Sequence, residues 1–183
     1  MNNKYSTHEM VEVVITPPEQ YGIQLAYNIR ARTTLGVFTQ LIAQANNHIL
    51  IASPFIQTYH GFTESPIKSA LIYALDRNVH IDIVTTGAGI EILKNGWTDL
   101  VTRDKVRFFQ PKPNIDDERY IGSHAKCLIS DGQAAYVGSA NFTQPGLAGN
   151  LELGLLVEGD AAGQIALFWK YLIDIKFLIE VKI

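Results

Sequence analysis

Residues 121–157 read IGSHAKCLISDGQAAYVGSANFTQPGLAGNLELGLLV. Three strand-like runs lie within them: His124 to Ser130, Ala134 to Val137, and Leu151 to Val157. Asp131-Gly132 between the first two is a hairpin signal, because both residue types tolerate the positive φ of a tight turn. His124 and Lys126 are two apart, so on a strand both side chains point to one face. Ala125, Cys127 and Ile129 then point the other way, into apolar packing. Gly138 permits a close backbone approach, and Ser139 and Asn141 fall at the end of the returning strand. If these strands pair, an imidazole, an ammonium, a hydroxyl and a carboxamide gather at one sheet end.

That set suits a phosphoryl group. The imidazole can attack phosphorus or protonate a leaving oxygen. The ammonium and amide donors can hold the non-bridging oxygens as charge develops. The imidazole also needs an acceptor on its other ring nitrogen to set the tautomer. Glu152 sits among apolar neighbours on the next strand, where an unpaired carboxylate is expensive, so it is the candidate partner for His124.

The pattern His124-x-Lys126-x4-Asp131-x6-Gly138-Ser139-x-Asn141 resembles the HKD signature of the phospholipase D superfamily, complete at every position. A weaker resemblance extends to HILIASPF at residues 48–55 and VHIDIVTT at residues 79–86. The resemblance implies a phospholipase-D-like α-β-α sandwich, with a central mixed β-sheet flanked by helices. It implies that His124 attacks to form a phosphohistidine or protonates the leaving group. Lys126 and Asn141 would bind phosphate oxygens, Ser139 and Gly138 would support that pocket, Asp131 would hold the motif's loop, and Glu152 would orient His124. It implies hydrolysis with no metal and no cofactor. The reaction in this superfamily uses two such motifs, and this chain has one: no lysine follows two residues after His8, His48, His60 or His80. The expectation is therefore a homodimer that completes the active site across a two-fold axis.

Outward from the motif, the chain alternates helical and strand patterns, which gives the α/β class. A long helix is expected from Gln20 to Asn46, with Phe38, Leu41, Ile42 and Ala45 on its buried face. His48 to Phe55 is an apolar, isoleucine-rich strand. Ser65-Pro66 opens a helix, Val79 to Thr85 is a strand, Ile90 to Asn95 a short helix, and Val106 to Phe109 a strand. Gln110 to Arg119 reads as an exposed loop. From Ala162 to the end the pattern is helical, with Ile165, Phe168, Leu172, Ile175 and Ile179 on one side. Pro17-Pro18 breaks any element starting at Met10, so residues 1–19 read as an N-terminal extension and 20–183 as one domain.

Composition bounds the function. The chain has 183 residues, 47% hydrophobic and 18% charged, with a net charge of −3. That is enough apolar material for one core, and too acidic for a surface that is basic all over. Lys105, Arg107, Lys112 and Arg119 could contact a phosphate backbone, or be neutralised by Asp104, Asp116, Asp117 and Glu118. A single cysteine, Cys127, excludes an internal disulfide framework and a multi-cysteine metal site. No signal peptide, transmembrane span or stable membrane association is expected, so the expected compartment is the cytoplasm. The leading reading is a phosphodiesterase acting on DNA or RNA. Its alternatives are a lipid phosphodiesterase and a non-catalytic phospholipase-D-like subunit of an anti-phage defence system.

Overall fold

A computed structural model describes residues 9–57, 66–112 and 123–183. In chain order the elements are β1 (Met10–Thr16), α1 (Gly22–Asn28), β2 (Arg32–Thr33), α2 (Thr34–Gln44), β3 (His48–Ala52), α3 (Pro66–Asp76), β4 (His80–Val84) and α4 (Gly87–Gly96). They continue with α5 (Thr98–Val101), β5 (Val106–Pro111), β6 (Cys127–Ser130), β7 (Ala134–Gly138), α6 (Gln144–Ala148), β8 (Glu152–Glu158), α7 (Asp160–Asp174) and β9 (Leu178–Val181). The strands form one mixed sheet in the order β2-β1-β8-β7-β6-β3-β4-β5-β9. β3, β4 and β5 are parallel, as helical crossovers require, and the β6–β7–β8 run is antiparallel.

Two unequal layers cover the sheet. On one face, α2, α3, α4, α5 and α6 contribute Phe38, Leu41, Leu71, Leu93, Leu100 and Leu147 to a large core with Ile49, Ile51, Leu128 and Tyr136. On the other face α7 supplies Ala162 and Trp169 against Leu50, Phe109, Cys127, Ile129 and Val157. One helix cannot cover nine strands. Val11, Val13, Val137, Leu153 and Leu155, which alternate onto that second face, remain 41–63% exposed. Burial in this layer pushes the Cys127 thiol up to about 12, so it is an inert apolar filler.

Four expectations need correction. The helix expected over residues 20–46 is two helices: Arg30 turns the chain with φ 53°, and the Thr33 hydroxyl then accepts from Gly36 N–H to cap α2. Residues 10–16 of the expected extension are sheet, registered along β8 from Met10–Glu158 to Thr16–Glu152. The C-terminal helix stops at Asp174. Lys176 (φ 59°) reverses the chain, and Ile179 lies in β9, antiparallel to β5. The buried stripe of α7 runs through Ala162 and Trp169, leaving Phe168 and Ile175 half exposed. Finally, Gln110 and Pro111, expected in a loop, extend β5.

Candidate active site

The motif spans the sheet from end to end. Gln133 N–H bonds Ser130 C=O across the turn, and Asp131 and Gly132 both have positive φ (52° and 67°), as the hairpin signal required. The Asp131 carboxylate accepts from the backbone N–H groups of Asn46, Asn47 and His48, each at 2.8 Å. Burial opposes its ionisation, but those donors outweigh it and hold the carboxyl below the usual range. Asp131 thus ties the β6–β7 turn to the start of β3. It lies the length of β6, about 13 Å, from the other motif residues.

At the opposite end, His124 and Lys126 precede β6 on irregular backbone, because ladder pairing in β6 begins at Cys127. The strand expected from His124 is therefore shorter, and the two side chains meet through the lysine's reach. The Lys126 ammonium donates to its neighbour's backbone, His124 C=O, at 2.8 Å and lies 3.0 Å from His124 Nδ1. Lys126 is 7% exposed while His124 stands open to solvent. Burial pulls the Lys126 ammonium below its ordinary range, and the nearby Glu152 charge offsets part of that. An ammonium can only donate, so an anion entering here competes with the imidazole for those hydrogens.

β7 and β8 bring the remaining polar groups. The Ser139 hydroxyl donates to Glu152 Oε2 and accepts from Leu153 N–H at 3.1 Å, and Asn150 Nδ2 donates to Glu152 Oε1 at 3.3 Å. Glu152 forms no hydrogen bond to His124. On β8 it shares the parity of Gly154 and Leu156, whereas Leu153 and Leu155 face the α7 side. Asn141 Oδ1 lies 3.5 Å from the Ser53 hydroxyl. His124, Lys126, Gly138, Ser139 and Asn141 all line one cavity of about 950 Å³, whose apolar wall includes Val137, Leu155 and Phe168.

Three residues escaped the sequence reading. Ser53, 1% exposed at the end of β3, accepts from Phe142 N–H at 2.9 Å and donates to Phe55 C=O at 2.7 Å, locking the two loops of the site together. Phe55 then sets its ring nearly perpendicular to that of His124, 6.5 Å between centroids. Tyr136, fully buried, lies across the facing Gly138–Gly154 pair. A Cβ on Gly138 would meet its hydroxyl at 2.3 Å, and one on Gly154 would meet its ring at 2.5 Å. Gly138 is therefore a matter of clearance, and Tyr136 supports the Ser139–Asn141 segment from beneath by accepting from Ala140 N–H at 3.4 Å. The Ser-Pro after an apolar strand and the Tyr-x-Gly spacing were the only sequence traces of these contacts. His60 and Arg119 lie outside the described residues. Arg107 is engaged by Asp82 through two bonds of 2.8 Å.

The family described as "Cardiolipin synthase, PLD-like domain" matches residues 38–171. The chain belongs to this family. A relative from Bacillus paralicheniformis, DISARM protein DrmC, is 28% identical over 157 residues, covering 82% of this chain. The chain spans 58% of that relative's length. Among solved structures, this PLD-like domain is similar to Nuc, a phospholipase D family member from Salmonella typhimurium (TM-score 0.65, 16% identity, 96% of this chain and 99% of Nuc). It is also similar to NucT from Helicobacter pylori (TM-score 0.64, 16% identity, 91% and 96%). These likenesses carry the fold. Among the described residues, no helix is long and apolar enough to cross a membrane.

Proposed function

We propose that this PLD-like domain is a phosphodiesterase that cleaves nucleic acid through a covalent phosphohistidine at a site shared by two copies of the chain. The observation that carries the reading is the exposed His124 imidazole beside the buried Lys126 ammonium, with Ser139 and Asn141 at the same cavity. His124 attacks phosphorus, and Lys126 and Asn141 hold the non-bridging oxygens as the pentacovalent state develops. Ser139, fixed by Glu152, orders the pocket. Glu152 acts on His124 at second hand, through its charge on Lys126. The residues themselves supply nucleophile, proton and anion donors, so no step calls for a metal.

The leaving oxygen needs a proton from a second acid. Among the described residues the other histidines are His48 and His80, at the starts of β3 and β4 and the far end of the sheet, so neither reaches. A second copy supplies its own His124. The uncovered apolar face of Val11, Val13, Val137, Leu153 and Leu155 borders the cavity and offers that copy a seat. In this reading the domain works as a cytoplasmic enzyme with a part in anti-phage defence, a role that the similarity to DISARM protein DrmC supports.

The test uses the whole chain with single- and double-stranded DNA, RNA and a chromogenic phosphodiester, each with EDTA. Cleavage that survives EDTA and disappears in His124→Ala supports the reading. Adding excess His124→Ala chain to wild type should suppress activity through mixed dimers, and Leu153→Glu should yield monomers with the activity lost. Release of a lipid head group with no cleavage of any nucleic acid overturns it, as does activity that simply follows the number of wild-type chains.

A further inference from the structure

We infer that Phe55 is a stacking platform for a nucleobase beside the scissile phosphate, so that the site takes single-stranded in preference to duplex nucleic acid. This rests on the phosphodiesterase reading above and narrows its substrate. Phe55 is 52% exposed, and its ring stands at 82° to the His124 ring. The two rings are near-perpendicular, and the half-exposed Phe55 ring offers apolar surface to a planar group. The centroid separation of 6.5 Å puts the ring within one nucleoside's reach of a phosphate held at His124.

A lone exposed phenylalanine is ordinary on a protein surface. This one is held in place. Its carbonyl accepts from the buried Ser53 hydroxyl, which in turn accepts from Phe142 N–H. The next two residues are pinned as well: Ile56 bridges to Phe142, and Gln57 N–H bonds Phe142 C=O at 3.2 Å. The backbone that carries the ring is therefore anchored to the segment that carries Asn141.

Charge argues the same way. Among the described residues lining the cavity, Lys126 is the one lysine or arginine, and Glu152 lies beside it. Arg107 lies at the other end of the sheet, bonded to Asp82, and adds no charge to this cavity. Proteins that bind duplex DNA by its phosphates recruit many cations, and affinity then comes chiefly from them. Among the described residues that contribution is small, and base stacking adds to the binding. Stacking on Phe55 requires a base free of its neighbours, which a single strand offers and a duplex withholds.

The experiment compares wild type, Phe55→Ala and Phe55→Trp on a single-stranded oligonucleotide, the same strand with one abasic position at the cleaved phosphate, and the duplex. Anisotropy binding runs in the His124→Ala background. Phe55→Ala should raise KM and Kd for the single strand roughly ten- to a hundredfold. Phe55→Trp should retain both, and the abasic strand should not distinguish the variants. Equal KM for wild type and Phe55→Ala, an equal loss on the abasic strand, or dissociation of the dimer by Phe55→Ala overturns the platform. Wild-type cleavage with equal KM overturns the platform alone. Binding without cleavage that still depends on Phe55 upholds it and overturns the hydrolysis. Absence of both overturns both.

Discussion

His48 and His124 stand at opposite ends of β3, and their surroundings differ in one respect that separates structure from chemistry. His48 Nε2 lies 2.9 Å from Asp82 Oδ2, and Arg107 grips the same carboxylate with two bonds of 2.8 Å. Asp82 is 2% exposed. Burial alone would push its carboxyl up, but the hydrogen bonds and charges of His48 and Arg107 outweigh that and hold it below the usual range. Every charge there has its opposite within bonding distance, so the cluster is closed. At the other end the buried cation is Lys126, and among the described residues it meets a carbonyl and an imidazole but no carboxylate at hydrogen-bond range. An ammonium buried without a bonded anion is stabilised when an anion arrives. Both sites contain a histidine and a buried charge. Only the second has its charge left to satisfy.

The sharpest way to break this comparison is to remove each histidine. His124→Ala should lower turnover on an oligonucleotide at least about a thousandfold, while His48→Ala leaves it within about twofold. Steady-state kinetics decide it, and comparable losses in the two variants would erase the distinction.

Removing each cation tests stability instead. Arg107→Met leaves Asp82 buried with His48 alone. It should destabilise by about 2–3 kcal/mol in urea unfolding, less than for a wholly buried pair because Arg107 is half exposed. Lys126→Met should be neutral or stabilising by up to about 1 kcal/mol, because it relieves an unpaired buried charge, while abolishing activity. A large stability loss from Lys126→Met would mean that the lysine is structural.

Gly138→Ala drives a methyl into Tyr136 and should cost about 1–3 kcal/mol, with a fall in kcat as the Ser139–Asn141 segment shifts. The double variant Gly138→Ala, Tyr136→Leu should recover part of the stability.

The smallest effect is in acid. Asp82 and Asp131 both have folded-state values below their ordinary ones. Their stabilisation is therefore complete above about pH 4 and is lost as pH falls through the folded values. The urea midpoint should decline below about pH 4, and Asp82→Asn should flatten part of that limb. An unchanged slope would disconnect Asp82 from acid unfolding.

Legibility differed by region. The hairpin at Asp131-Gly132 and the strands around it could be read because turn chemistry and alternation are local. The stop at Arg30 and the reversal at Lys176 could not, since positive φ at those residues has no signal of its own type. Residues 10–16 looked like an extension because Pro17-Pro18 cuts them off locally. Their seat is β8, far along the chain. At the site, residue identities were readable and mutual contacts were not. Glu152 was expected at His124, yet the register of β8 turns it to Ser139.

By itself, then, the sequence determined the α/β class, the residues of the motif and the hairpin at Asp131-Gly132, because those rest on alternation and on turn residues within a short span. Tertiary structure alone decided that Asp131 serves the far end of the sheet, that Ser53 and Phe55 enter the site, and that Tyr136 demands glycine opposite it. It also decided that α7 leaves an apolar face bare. Each of these depends on which distant backbone lies within a few ångströms, and pairing register sets that across separations no local pattern encodes.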